Sequence, residues 1–391
     1  MTETSPPSAT PDSVISLPAE LLPEDGRFGS GPSRTRFEAL DDFAQVAPNY
    51  IGTSHRQPAI MDLVKLIRVG LLEFFGAPEG YDVMLGNGGS TYFWDAAAFS
   101  LIRKKSQHLS FGEFGGKFAT AVADAPFLDE PTVIKAEVGG AASPVAERGV
   151  DVYAWPHNET STGVAAPVQR VSGADEDALM VIDGTSGAAG VPVDISQTDV
   201  YYFAPQKGFA GEGGLWIAIL SPRAAERIAQ IKASGRWIPA SLDLSLALEY
   251  SRKNQTLNTP SIYTLFMLAH QVDWFVGSGG QQWAVRRTAE SAKILFDWAA
   301  ASSYARPFVT DPELRSPVVG TIDFDDSVDA SRVAQQLRAN GILDTEPYRK
   351  LGRNQLRIGM FVTTPPSDVA QLTKCIDYIV ERLYPRSGQT S

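Results

Sequence analysis

Apolar side chains at Ile60, Leu63, Val64, Ile67, Leu71, Leu72 and Phe75 recur at the three-and-four spacing of one helix face, which predicts a helix over 58–75. A short strand-like run follows at 81–85, then the polar, flexible stretch Gly86-Asn87-Gly88-Gly89-Ser90, then a second predicted helix over 91–103. Further apolar runs at 132–138, 152–155, 178–183, 200–204 and 215–220 read as strands. The last of these ends at Ser221-Pro222, a serine cap with proline in the first turn of a helix. Strands that alternate with helices predict an α/β fold with a mostly parallel central sheet. Gly277-Ser278-Gly279-Gly280 interrupts that alternation. Beyond it the pattern predicts a helix over 281–301, a strand over 318–324, a helix over 330–339 stopped near Gly341, a strand over 355–360 and an amphipathic helix over 367–383. The expected organisation is a large domain at 17–276, whose N-terminal segment packs on a smaller C-terminal α/β domain at 277–391. Residues 1–16, rich in Pro, Ser and Thr, read as a disordered tail.

Composition narrows the function. The 391 residues are 43% hydrophobic and 20% charged, an ordinary globular balance in a chain long enough for two or three domains. With 34 Lys and Arg against 45 Asp and Glu, the formal net charge is −11. Such a chain repels polyanions, which argues against nucleic-acid and membrane-surface partners but leaves room for one small basic pocket. Cys375 is the single cysteine, so neither an internal disulfide nor a thiolate zinc cluster is expected. No apolar run approaches the roughly 20 residues of a membrane helix, and the N-terminus lacks a secretory pattern. The Asn158-Glu159-Thr160 sequon stands without other signs of secretion, so a cytoplasmic setting is expected. There is no G-x-G-x-x-G after a strand, no H-E-x-x-H and no G-x-S-x-G. The 112–118 stretch GEFGGKF resembles a phosphate loop but places Phe118 where a magnesium-binding hydroxyl belongs. His55, His108, His157 and His270 are the whole histidine supply, and no metal site is expected.

The informative stretch is 178–220. One apolar run ends in Asp183 and is followed by GTSGAAG; the next ends near Lys207 and is followed by GFAGEGG. Both residues fall just beyond the C-terminal ends of buried strands, where open parallel sheets bind ligands. A lysine held there in a dry, closely approached turn has the depressed pKa that a nucleophilic amine needs. A carboxylate beside it can hold a positive charge. Pyridoxal phosphate (PLP) requires this pair: a Schiff-base lysine and an acid that keeps the pyridinium nitrogen protonated. The plainer alternative is a lysine capping one strand end and an aspartate opening a turn. The glycine stretch before residue 91 adds backbone N–H groups at a helix start, with Ser90 and Thr91 hydroxyls, as a cradle for one phosphate.

In order and spacing, FGSGPSRT near residue 30, SHRQ at 54–57, NGGST at 87–91, PHNETSTG at 156–163, VIDGTSG at 181–187, FAPQKGFAGEGGL at 203–215, NTPSIY at 258–263 and RIGMFV at 357–362 resemble the phosphoserine aminotransferases. These are class V, fold type I PLP enzymes, and the chain looks like a divergent branch of them. The resemblance implies that Lys207 is the Schiff-base lysine and proton shuttle and that Asp183 pairs with the ring nitrogen. It implies that Gly89, Ser90 and Gln206 hold the cofactor phosphate and that Thr160 bonds the ring hydroxyl. It implies a homodimer in which Asn258 and Thr259 reach the neighbouring subunit's cofactor phosphate. Phe114 stands where many family members stack a tryptophan on the ring, a departure that keeps stacking but loses area and an N–H donor. For substrate, the resemblance implies Ser30, Arg56 with His55 as a second donor or as a structural residue, and Arg357 on the α-carboxylate. The family's His-Arg phosphate pair is not reproduced; Arg349, Lys350 and Arg353 are each open as substitutes.

The implied reaction moves an amino group from L-glutamate to 3-phosphohydroxypyruvate, giving O-phospho-L-serine for serine biosynthesis. The resemblance also implies the phosphohydroxythreonine step of vitamin B6 synthesis where that route exists. The alternative within PLP chemistry is an alanine–glyoxylate or serine–pyruvate aminotransferase, which needs no phosphate pocket and so leaves the basic 349–353 cluster unexplained. A cysteine desulfurase needs a mobile cysteine, whereas Cys375 falls within a predicted helix. A non-enzymatic anion-binding protein would be colourless.

Overall fold

The structure, a computed structural model, describes residues 13–385. Seven strands form the central sheet: β1 (Asp82–Gly88), β2 (Ser106–Ser110), β3 (Thr132–Lys135), β4 (Val152–Pro156), β5 (Leu179–Asp183), β6 (Val200–Phe203) and β7 (Gly214–Leu220). Their spatial order is β1-β7-β6-β5-β4-β2-β3. β7 runs antiparallel to both of its neighbours, and all other pairings are parallel. The functional ends of β1, β2, β4, β5 and β6 therefore lie along one edge.

Alternation along each strand divides the side chains between two cores. Met180 and Ile182 of β5 join Tyr201 and Phe203 of β6 in a cluster with the apolar faces of α2 (Pro58–Phe74) and α7 (Ile262–Gly277). Leu179 and Val181 join Val200 and Tyr202 in a second cluster, with α3 (Ser90–Ser100), α4 (Glu113–Ala123), α5 (Pro222–Ala233) and α6 (Leu244–Arg252). Both faces of the inner strands are buried, which is why they read as continuous apolar runs. By the same alternation Asp183 faces the α3 side, and the register sets it opposite Tyr202. The remaining helix of this unit, α1 (Phe37–Tyr50), packs on α7.

The smaller unit is an antiparallel sheet of β8 (Ala305–Pro307), β9 (Val319–Phe324) and β10 (Gln355–Gly359), with α8 (Gly280–Ala301), α9 (Ala330–Ala339) and α10 (Pro366–Leu383). Its core includes Leu17 and Phe28 from the N-terminal segment. The stretch read as a tail lies outside the described residues up to residue 12. Within its remainder Ile15 is anchored: its N–H donates to Gln336 Oε1 at 2.8 Å and its carbonyl accepts from Asn340 Nδ2 at 2.8 Å. The anchored segment thus starts before residue 17.

Two differences from the sequence pattern bear on the site. Gly86, Asn87 and Gly88, part of the stretch that reads as polar and flexible, continue β1 and pair with Trp216, Leu215 and Gly214. Gly86 is needed because the Trp216 indole lies 2.1 Å from where a Cβ would stand. The 112–118 stretch is the start of α4, whose first turn faces the cavity. No helix among the described residues is long and apolar enough to cross a membrane.

Candidate active site

A cavity of about 510 Å³ opens at the strand-end edge. Lys207 enters it from the turn after β6, and Asp183 from the end of β5. The 30–33 segment straps this turn in place. Ser33 N–H donates to the Gln206 carbonyl at 2.8 Å and Ser33 Oγ to the Lys207 carbonyl at 2.5 Å, while Lys207 Nζ donates to the Ser30 carbonyl at 2.8 Å. Gly31 makes this approach possible, since a Cβ there would stand 2.0 Å from Lys207 Nζ and its φ of +139° disfavours side chains. Burial lowers the Lys207 pKa to about 8, helped by the Arg357 charge and opposed by Asp183 and Glu159.

Asp183 is buried and receives only hydrogen bonds: the Thr185 N–H at 2.8 Å, Trp94 Nε1 at 3.4 Å and the Tyr202 hydroxyl. Burial pushes its pKa up, and these donors pull it down. Lys207 feels its charge from a distance without an ion pair. A buried carboxylate ringed by donors, with no cation in contact among the described residues, has capacity for one more positive partner. At the end of β1, Gly89 caps α3 through its backbone, with no side-chain cap and open space beside it, so the first N–H groups of the helix are free for an anion. Thr185 Oγ1 donates to Ser90 Oγ at 2.6 Å there. Thr160 and Asn158 donate to Ser186 Oγ at 2.7 and 2.9 Å. Gln206 Oε1 and Asn158 Oδ1 are buried without partners.

These features fit PLP. Asp183 would meet the pyridinium nitrogen, the α3 N-terminus with Ser90 and Gln206 the phosphate, Thr160 or Asn158 the ring hydroxyl, and Lys207 Nζ the aldehyde carbon. Phe114, on the first turn of α4, supplies an aromatic wall.

The structure brings Gly89, Ser90, Phe114, Thr160, Asp183, Gln206 and Lys207 to the cavity. Arg357 lies beside it: its Nη1 donates to the Thr160 carbonyl at 3.3 Å, its guanidinium sits 5.4 Å from the Tyr348 ring, and its Nε is buried without a partner. Ser30 contributes its carbonyl, not its hydroxyl. His55, Arg56, Asn258 and Thr259 do not line this chain's cavity. They cluster outside it: His55 Nδ1 lies 3.2 Å from Thr259 Oγ1, Asn87 Nδ2 donates to the Thr259 carbonyl, and Arg56 donates to Gln255.

The basic 349–353 cluster divides. Arg353 is committed to a two-point ion pair with Asp323, at 2.5 and 3.1 Å, and stacks on Phe308. Lys350 pairs with Glu113, next to Phe114. Arg349 is exposed on a single 3-10 turn. Cys375 is buried in α10. Trp94, Tyr202, Thr185, Ser186 and Asn158 were not expected from the sequence. Parity along β5 and β6 points to Tyr202, once their register is known.

Comparisons with known proteins show the family and the fold. Residues 143–345 match the class V aminotransferase family model. A phosphoserine aminotransferase of Rhodococcus opacus (strain B4) is 58% identical over 367 residues, covering 94% of this chain and 98% of that one. One from Rhodococcus jostii (strain RHA1) is likewise 58% identical, over 94% of this chain and 98% of that one. In fold the chain is similar to the crystal structure of a phosphoserine aminotransferase from Cytophaga hutchinsonii, with a TM-score of 0.83 at 22% identity, covering 90% of this chain and 99% of that one.

Proposed function

The chain belongs to the phosphoserine aminotransferase family of class V, PLP-dependent aminotransferases, and from that premise we propose that it transfers the amino group of L-glutamate to 3-phosphohydroxypyruvate. The observation that carries this reading is one cavity holding a lysine amine of lowered pKa and a buried carboxylate without a cation in contact.

Bound there, PLP supplies the carbonyl that accepts the amino group and a ring that takes up the electron pair released at Cα. The protein does the rest. Asp183 holds the proton on the ring nitrogen, and its Thr185, Trp94 and Tyr202 donors favour its ionised form against burial and fix its direction. Lys207 Nζ takes the proton from the donor's Cα and returns it on the other side of the transfer; an amine with a pKa near 8 suits both tasks close to neutral pH. The Arg357 fork orients the α-carboxylate common to both substrates. The 30–33 strap keeps the amine at the cavity wall.

The same reading makes the protein a cytoplasmic homodimer, with Asn258, Thr259, His55 and Arg56 serving the partner's cavity, and extends the reaction to the phosphorylated threonine analogue of vitamin B6 synthesis. Arg349 is the phosphate ligand we favour. Arg353 is held by Asp323 and Lys350 by Glu113, whereas Arg349 is exposed on the turn following Tyr348, whose ring lies 6.3 Å from that of Phe114. Replacing Arg349 with Ala is expected to raise KM for 3-phosphohydroxypyruvate about 10- to 100-fold, the worth of one charge-assisted hydrogen bond. KM for glyoxylate or pyruvate should stay within about twofold. Arg353→Ala should lower thermal stability instead. Steady-state kinetics on the three acceptors check this; equal loss on all of them contradicts the phosphate assignment.

A further inference from the structure

Glu159 is fully buried and has no ion pair among the described residues, and its one part so far is the charge that opposes the lowering of the Lys207 pKa. Like Asp183, its carboxylate is held by donors alone. Oε2 accepts from the Phe114 N–H at 3.0 Å and the Gly115 N–H at 3.1 Å. Oε1 accepts from the Ser161 N–H at 3.1 Å and the Ser161 hydroxyl at 2.6 Å. Ser161 Oγ in turn accepts from the Glu113 N–H at 3.1 Å. The carboxylate thus caps the first turn of α4 from a different element, where N–H groups lack helical partners and the helix dipole favours a negative charge. Gly112 makes the space, since a Cβ there would stand 2.3 Å from Glu159 Cγ.

The two pieces so joined both face the cavity. The first turn of α4 carries Phe114; the turn after Glu159 carries Thr160, whose hydroxyl bonds Ser186 and whose carbonyl accepts from Arg357. We propose that Glu159 is a positioning residue, whose buried carboxylate fixes the Phe114 wall relative to Thr160 and so sets the fit of the cofactor ring between them. An amide cannot replace it. Glutamine offers one acceptor oxygen and turns its NH₂ toward donors on the other side. The inference rests on the reading of this cavity as the PLP site.

The test compares wild type with Glu159→Gln and with Ser161→Ala, which removes the hydroxyl that donates to Oε1 and accepts from the Glu113 N–H but leaves the Oε2 bonds to Phe114 and Gly115 in place. Apoenzyme is titrated with PLP, and the bound cofactor is followed by absorbance and by its induced circular dichroism. Glu159→Gln is expected to weaken PLP binding about tenfold or more and to diminish the induced dichroism, and Ser161→Ala to act in the same direction by about threefold. The kcat should fall about tenfold because the ring is misplaced. A lower melting temperature with unchanged PLP affinity and dichroism would overturn the proposal. If Glu159→Gln does not fold, Ser161→Ala decides alone, and PLP affinity equal to wild type overturns it. The site reading is checked separately, since borohydride fixes cofactor on wild-type Lys207 whatever Glu159 does.

Discussion

Replacing Lys207 with Ala is expected to lower kcat for amino transfer by about 10⁴-fold or more, because one side chain carries both the nucleophilic amine and the proton shuttle. The fold should persist. Lys207 Nζ makes one hydrogen bond, to the Ser30 carbonyl, while the strap is held through main-chain atoms of 206 and 207 that the substitution leaves in place. Near-wild-type melting with lost turnover is therefore the expected pair of results, from thermal denaturation and stopped assays. The amine also carries a pH signature. With a pKa lowered to about 8, its neutral fraction at pH 7 is about 300 times that of an ordinary lysine. The rate at which apoenzyme captures PLP should climb about tenfold per pH unit up to about pH 8 and then level off. A climb that continued beyond pH 10 would mean a solvated lysine.

The second large effect is expected at Asp183. Asparagine is nearly the same shape and can still accept from the Thr185 N–H, but it carries no charge to hold the ring proton. We expect kcat to fall about 10²- to 10³-fold, the scale of losing one preorganised electrostatic partner. Stability should move the other way. The native carboxylate is buried with no cation in contact, and burial raises its pKa above the ordinary 3.8. A carboxyl whose folded pKa is raised binds its proton more tightly in the folded state. It therefore costs nothing below about 3.8, where it is protonated in both states, costs progressively more as the pH rises from there toward the folded pKa, and costs most above it. Apo Asp183→Asn should be more stable than apo wild type by about 1–2 kcal/mol at pH 7, with the gain vanishing near pH 3.5. Denaturant titrations of the two apoproteins at both pH values check this. A variant equally destabilised at both pH values would mean that Asp183 is held for structure alone.

Much of this site is visible in the sequence for a physical reason. Inner parallel strands are buried on both faces, so they read as unbroken apolar runs, and a charged residue at the end of such a run stands out. Asp183 and Lys207 are legible in this way, and the helix start at Gly89-Ser90 nearly so. Gly86-Asn87-Gly88 reads as a flexible stretch because glycine in a strand looks like a loop; here Gly86 makes room for the Trp216 indole, a contact across two strands far apart in the chain. β2, with only Leu109 as a large apolar residue in Ser-Gln-His-Leu-Ser, gives little signal, since its polar side chains are satisfied locally: Ser106 by His108, and Gln107 by Val145 and Glu147. Trp94, Tyr202 and Glu159 were missed for a common reason. Each acts through a partner on another element, so its role exists only once helix α3, the β5–β6 register and the α4 N-terminus are in place. The basic 349–353 cluster was legible as charge but not as function, because its divided commitments depend on Asp323 and Glu113, distant in sequence.

The claim on which the rest stands is a covalent link between one lysine and the cofactor, and borohydride reduction of the PLP-loaded protein followed by peptide mass mapping reads it directly. The account predicts a pyridoxyl-phosphate mass increment on the peptide containing Lys207 and on no other, with loss of the visible absorbance band. An increment on a different lysine, or reduced protein carrying none, would contradict it.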